Sequence, residues 1–188
     1  KRVTFNARLE SARIRLQIDI GIGDVVTPEP EIVTYPTCLD SMAGPRIRSY
    51  PPVSVVAEKT HTLVALGLLN SRMKDFYDLW VMSHQMSFDG ETLCQAFAAT
   101  FERRQTPLPE AVPPGLSEDF ASSQDKLQQW QGFLTRTGLA DGSLTLDHVI
   151  GDLRAFLMAP LLAAAPRTPF HQFWPPGGPW ADTESRKA

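Results

Sequence analysis

Val3, Phe5, Ala7 and Leu9 alternate with polar residues, the period of a half-buried strand. Ile14, Leu16, Ile18 and Ile20 repeat the pattern against Arg13, Arg15, Gln17 and Asp19. Glu10-Ser11-Ala12 turns the chain between them, so a hairpin is expected. Prolines crowd residues 27–52, where only short strands near 32–35 and 47–50 are expected. From Val53 the period changes to that of helices. Val55, Thr62, Leu63 and Leu66 mark one side of a first helix, with Ser54 its expected cap. Leu79, Met82 and Met86 mark a second, from about Lys74 to Met86. Leu93, Ala96, Phe97 and Phe101 mark a third, capped by Asp89 and ending near Arg104. Leu116 to Leu134 reads as a helix with Phe120, Leu127, Trp130 and Phe133 inward. Leu146 to Met158 reads as the last, using Val149, Ile150, Leu153, Phe156 and Leu157. Strands first and helices after predict an α+β chain. Residues 1–52 are its strand-rich part, 53–160 its helical part, and 161–188 a proline-rich tail expected to be poorly ordered.

Two of these helical patterns carry charge where an apolar residue belongs. Lys59 lies in the middle of the side marked by Val55, Thr62 and Leu66; Asp75 falls among Leu79, Met82 and Met86, with Asp78 bordering it. An inward charge is costly unless it meets a partner, a ligand or a metal. One reading is a polar cleft between consecutive helices, suited to phosphate and metal. The other is local: Asp75 as an N-cap with Asp78 three residues on, and Lys59 running its stem out to water. The residues alone leave both open.

Composition narrows the partners. A chain of 188 residues buries roughly 70% of its unfolded surface and needs no staple. The net charge of −3 does not indicate a strongly basic nucleic-acid binder, although Arg46 and Arg48, or Arg103 and Arg104, could make a local contact with a polyanion. Cys38 and Cys94 are far apart, which fits neither a disulfide framework nor a metal knuckle and is consistent with a reducing cytoplasm. No apolar run reaches the roughly 18 residues of a membrane span; the run from Phe156 to Ala165 is too short and contains Pro160.

Four stretches carry a resemblance: Ile18-Asp19-Ile20-Gly21, Ala57-Glu58-Lys59, Asn70-Ser71-Arg72-Met73-Lys74-Asp75-Phe76-Tyr77-Asp78 and Thr100-Phe101-Glu102-Arg103-Arg104. Over roughly residues 1–160 the chain resembles the AbiEii/AbiGii family, nucleotidyltransferase-like toxins of bacterial type IV toxin–antitoxin and phage-exclusion systems. The resemblance implies an α+β fold in which a nucleotidyltransferase-type mixed sheet, here a remnant, is followed by a helical C-terminal bundle. It implies transfer of a nucleotide from an NTP, GTP among the candidates, to an RNA acceptor such as tRNA, with Mg²⁺. It assigns catalytic roles to Asp75, Lys59 and Asp78, nucleotide binding to Lys59 and Lys74, and metal binding to Asp19. It also implies a cognate type IV antitoxin that forms no direct complex, and action in the cytoplasm away from membranes. The family's Gly-rich phosphate loop and Asp-x-Asp strand pair occur nowhere in these residues. The chain, which opens on Lys1 inside a strand pattern, is therefore expected to be the C-terminal portion of a longer enzyme or a remnant that does not transfer nucleotides alone. The alternative function is a non-catalytic module that binds a nucleotide or a protein.

Overall fold

The computed structural model describes residues 1–21, 26–139, 143–165 and 168–182. It is α+β, as the order of patterns predicts. Strands β1 (Arg2–Leu9) and β2 (Ala12–Asp19) form the expected antiparallel hairpin, with Val3 opposite Ile18 and Phe5 opposite Leu16. A second hairpin joins β3 (Glu31–Thr34) to β4 (Arg46–Ser49). Among the described residues the strands do not merge into one mixed sheet: they make three small antiparallel sheets. The apolar face of the first hairpin stays uncovered, Phe5 at 44% and Ile18 at 51% exposure.

The core lies in the helical part. Helix α1 (Pro52–Leu66) starts on a proline at its first position, where the missing N–H costs nothing. Ser54 does not cap it; its hydroxyl sits inside the helix and donates to the Thr27 carbonyl at 2.8 Å. Helix α2 (Met73–Gln85) follows a short 3-10 turn, and α3 (Gly90–Arg103) is capped by Asp89, whose carboxylate accepts from the Thr92 amide at 2.8 Å. Leu93, Ala96, Phe97 and Phe101 are buried, as the 3.6-residue period requires. The single helix expected over 116–134 is two: α4 (Glu118–Ser122), capped by Ser117, and α5 (Gln124–Thr137), with the chain extended at Ser123. The break turns α5 so that Phe120, Trp130 and Phe133 face the core while Leu127 is 44% exposed. Gly138 closes α5 in the left-handed conformation, φ 71°. Most of the loop expected there, residues 140–142, lies outside the described residues.

Helix α6 (Leu146–Ala164) runs straight through Pro160 instead of stopping at it. Proline deprives the carbonyl four residues back of its donor. That carbonyl, of Phe156, accepts instead from the Trp180 indole N–H at 2.9 Å. The donor comes from the segment expected to lack order: β6 (Gln172–Trp174) pairs with β5 (Phe88–Asp89), placed between α2 and α3, and β7 (Ala181–Asp182) pairs with β6. Trp174 is buried and donates to the Ser83 carbonyl at 2.7 Å, near the C-terminus of α2. Aromatic burial and two satisfied carbonyls thus tie down a stretch whose prolines and glycines read as unstructured.

Candidate functional site

The face of α1 marked by Val55, Lys59, Thr62 and Leu66 is not the core face. Of the side read from sequence Leu63 alone is buried; the helix packs it with Val56, Ala57 and Thr60. Val55, Lys59, Thr62 and Leu66 line a cavity of about 560 Å³, within the usual range for small-molecule sites. Arg72 and Asp75 at the start of α2, Tyr50 and Arg104 complete its polar wall. The inward lysine of the sequence pattern therefore faces a cavity, and its neighbours are apolar because they form the wall.

Asp75 is not an N-cap. It lies in the first turn of α2, its amide bonded to the Arg72 carbonyl at 2.8 Å, and its residue is 7% exposed. The turn before it is fixed by Asn70, fully buried, whose side-chain oxygen accepts from the Arg72 amide at 2.9 Å. Lys59 Nζ donates to Asp75 Oδ1 at 2.6 Å and to Asp78 Oδ2 at 2.7 Å. Arg72 Nε meets Asp75 Oδ2 at 3.0 Å, and Lys74 Nζ meets Asp78 Oδ2 at 2.6 Å. Helical spacing explains the set: Arg72 and Asp75 are three apart, Lys74 and Asp78 four apart, and α1 packs against α2.

Three cations thus surround two carboxylates. Burial alone would pull the Lys59 ammonium down, but its hydrogen bonds to Asp75 and Asp78 outweigh that and hold it above its ordinary value. Burial would raise Asp78, and bonds from Lys59 and Lys74 outweigh that in turn, so its carboxyl is held below the usual range. Counted formally, the three cations and two carboxylates leave a net charge of plus one. Lys59 spends two of its three N–H donors on aspartates, leaving the third for a ligand. Asp78 and Lys74 do not line the cavity; Asp78 aims the ammonium that does.

On the far side of the cavity, Arg104 Nη2 pairs with Glu58 at 2.8 Å. His61 bonds Thr106 at 2.9 Å and meets the Phe101 ring edge-on, while also lining the cavity. Burial, then the Arg104 charge, holds its pKa down, so it is neutral at pH 7.

Asp19 does not join this group. It sits at the open end of the first hairpin, where Arg2 Nε donates to it at 2.7 Å, Arg2 Nη2 at 3.0 Å and Gln17 Nε2 at 3.0 Å. The Arg2 hydrogen bond is the main cause of its lowered pKa, and it is not part of the cavity wall. The residues do not fit a bound divalent metal. Both Asp75 oxygens and Asp78 Oδ2 are engaged by cations, and among the described residues no group of three or more His, Cys, Asp or Glu is arranged to hold a metal ion. What the wall offers an anion is a half-buried ammonium and an exposed guanidinium beside it, set against the carboxylates of Asp75 and Glu58.

A family model described as "Nucleotidyl transferase AbiEii toxin, Type IV TA system" matches residues 1–155. The chain belongs to the AbiEii toxin family. No curated protein and no solved structure matches it. The match spans both hairpins and the Lys59–Asp75–Asp78 cluster, so the cavity lies inside the AbiEii region, whereas β6 and β7 lie beyond it. Among the described residues no helix is long and apolar enough to cross a membrane. Sequence reasoning gave Arg72 no role of its own. Its signal was the spacing to Asp75, three residues on in the first turn.

Proposed function

We propose that the cavity between α1 and α2 binds the triphosphate of a nucleoside triphosphate, and that the chain serves a nucleotidyltransferase toxin that modifies an RNA acceptor such as tRNA. One observation carries the reading: Lys59, held by Asp75 and Asp78, presents a remaining N–H on the wall of a cavity of about 560 Å³. Lys59 and Arg72 take phosphate oxygens and offset charge that grows on them during transfer. Asp78 positions Lys59, and Lys74 holds Asp78. An acceptor hydroxyl oxygen attacks the α-phosphorus, the bond to the β-phosphate oxygen breaks, and pyrophosphate leaves. Asp75, the aspartate on the cavity wall, takes the hydroxyl proton. Membership of the AbiEii family supports this chemistry. In the cell such an activity arrests growth in the cytoplasm, as in phage defence, and a type IV antitoxin counters it without a direct complex.

The test is labelled GTP, and the other three NTPs in turn, with Mg²⁺ and total tRNA. Label in the tRNA that disappears with Lys59→Met supports transfer. The engagement of both aspartates by cations favours a second reading, a module that binds the nucleotide without transferring it. Saturable NTP binding with unlabelled tRNA selects that reading. Absence of both sinks the two together.

A further inference from the structure

Arg72 borders a second cavity as well. This one, about 460 Å³, lies between the start of α2 and the flank of α5. Its wall includes Ser71, Arg72 and Lys74 on one side and Gln128, Gly132 and Arg136 on the other. Three of its side chains are cationic, and Asp125 is the single acidic one. Arg136 and Gln128 are exposed, and Lys74 keeps a 73% exposed side chain despite its bond to Asp78.

Gly132 is the second observation. It sits in the interior of α5, where glycine costs about 0.5–1 kcal/mol against alanine. Packing does not demand it: a Cβ built there meets nothing within 4 Å. A bare backbone on an open, cation-rimmed wall lets a ligand approach the helix closely.

We infer that this groove docks the sugar–phosphate backbone of the RNA acceptor, next to the triphosphate cavity and separated from it by Arg72. The inference rests on the proposed function, since an acceptor strand must lie beside the donor. Arg136 and Lys74 take phosphates, and the Gln128 amide has the donors and acceptor that suit a ribose 2′-hydroxyl. The charge of the wall excludes a cation and an acidic cage. Charged and amide side chains outnumber the apolar members of the wall, Met73 and Phe133, which argues against an apolar helix as occupant.

The experiment is fluorescence anisotropy of labelled bulk tRNA with the full chain, across a salt series, for wild type, Arg136→Glu and Gly132→Glu. Circular dichroism checks folding. GTP binding is measured alongside, because neither residue lines the triphosphate cavity. Each variant should weaken tRNA binding about tenfold, and Arg136→Glu should reduce the salt slope by about one. GTP affinity should not change. Arg46→Glu/Arg48→Glu, which changes exposed cations on β4, serves as the control and should have little effect. If Gly132→Glu fails to fold, Gly132→Ala, which should stabilise α5, is combined with Arg136→Glu.

Unchanged tRNA affinity and slope in the groove variants overturns the inference, as does an equal loss in the β4 control. So does a wild type that binds no tRNA, or groove variants that lose an acidic peptide or anionic vesicles while keeping tRNA. Groove-dependent tRNA binding without transfer rejects the chemistry proposed above and leaves the groove standing. Transfer whose KM for tRNA ignores both variants does the reverse.

Discussion

Replacing Lys59 by leucine removes two charge-assisted hydrogen bonds, at 2.6 and 2.7 Å. Bonds of this type are worth about 1.5–3 kcal/mol each, and stranding a buried charge costs about 3–5 kcal/mol. Neither aspartate is stranded here. Asp75 keeps Arg72 and Asp78 keeps Lys74. The expected loss is therefore about 2–3 kcal/mol, below the sum of two full bonds. Asp75→Leu leaves the ammonium with Asp78 and should cost a similar amount. In the double variant the groups left behind are Arg72, whose side chain is 62% exposed and is hydrated at little cost, and the intact Lys74–Asp78 pair. It should lie within about 1 kcal/mol of wild type, because a half-buried ion pair barely outperforms a packed apolar one. The coupling energy of the cycle is then about 3 kcal/mol or more in magnitude. Urea denaturation followed by circular dichroism measures it, read from midpoints at constant slope. Additive effects, or a Lys59→Leu variant within about 0.5 kcal/mol of wild type, would refute the geometry of the cluster. A stable double variant that still bound GTP normally would keep the geometry and remove its purpose.

Trp180→Phe keeps an aromatic ring, though a smaller one, and strips the donor from the Phe156 carbonyl; the lost hydrogen bond should cost about 1–3 kcal/mol, and adding Pro160→Ala, which restores a backbone N–H, should recover much of that part in thermal melts. The cluster should hold α1 to α2 across a wide pH range. Asp78 is held below its ordinary 3.8, so its contribution is complete above about pH 4 and is lost as pH falls through the lowered value. Lys59 is held above 10.5, so its contribution is complete below that and fades only as pH rises beyond it. Stability measured from pH 5 to 9 should show no step from these groups, and a titration of either inside that window contradicts the assigned bonds. Of the two thiols, exposed Cys38 should react with a thiol reagent at pH 8 while Cys94, pushed up to about 11 mainly by burial, stays inert until unfolding; equal rates count against the packing of α3 on α6.

The first hairpin and the third and last helices were legible because a period of 2 or 3.6 survives wherever one face is buried or could be. The site was legible for the opposite reason. Lys59 and Asp75 break their patterns, and a broken pattern marks a place where something other than packing decides the residue. The apolar side read for α1 was a cavity wall, since Val55 and Leu66 beside a ligand look in sequence like Val55 and Leu66 in a core. The break at Ser123 was invisible because both halves carry apolar residues at helical spacing. The C-terminal segment was misread over 168–182, where order comes from elsewhere, while residues 183–188 of the same expectation lie outside the described residues. Trp174 and Trp180 supply donors to carbonyls on α2 and α6, and composition carries no record of such pairing. Asp19 was placed by motif, and only its Arg2 and Gln17 partners show that it stands apart from the cavity.

The central claim is that the Lys59 wall receives a triphosphate, and calorimetric titration of the chain with GTP and Mg²⁺ tests it most directly. Saturable one-site binding, weakened at least tenfold by Lys59→Met and by Arg72→Ala but untouched by Arg48→Ala, is the predicted result. Absence of binding heat at millimolar GTP, or binding that survives loss of both Lys59 and Arg72, contradicts it.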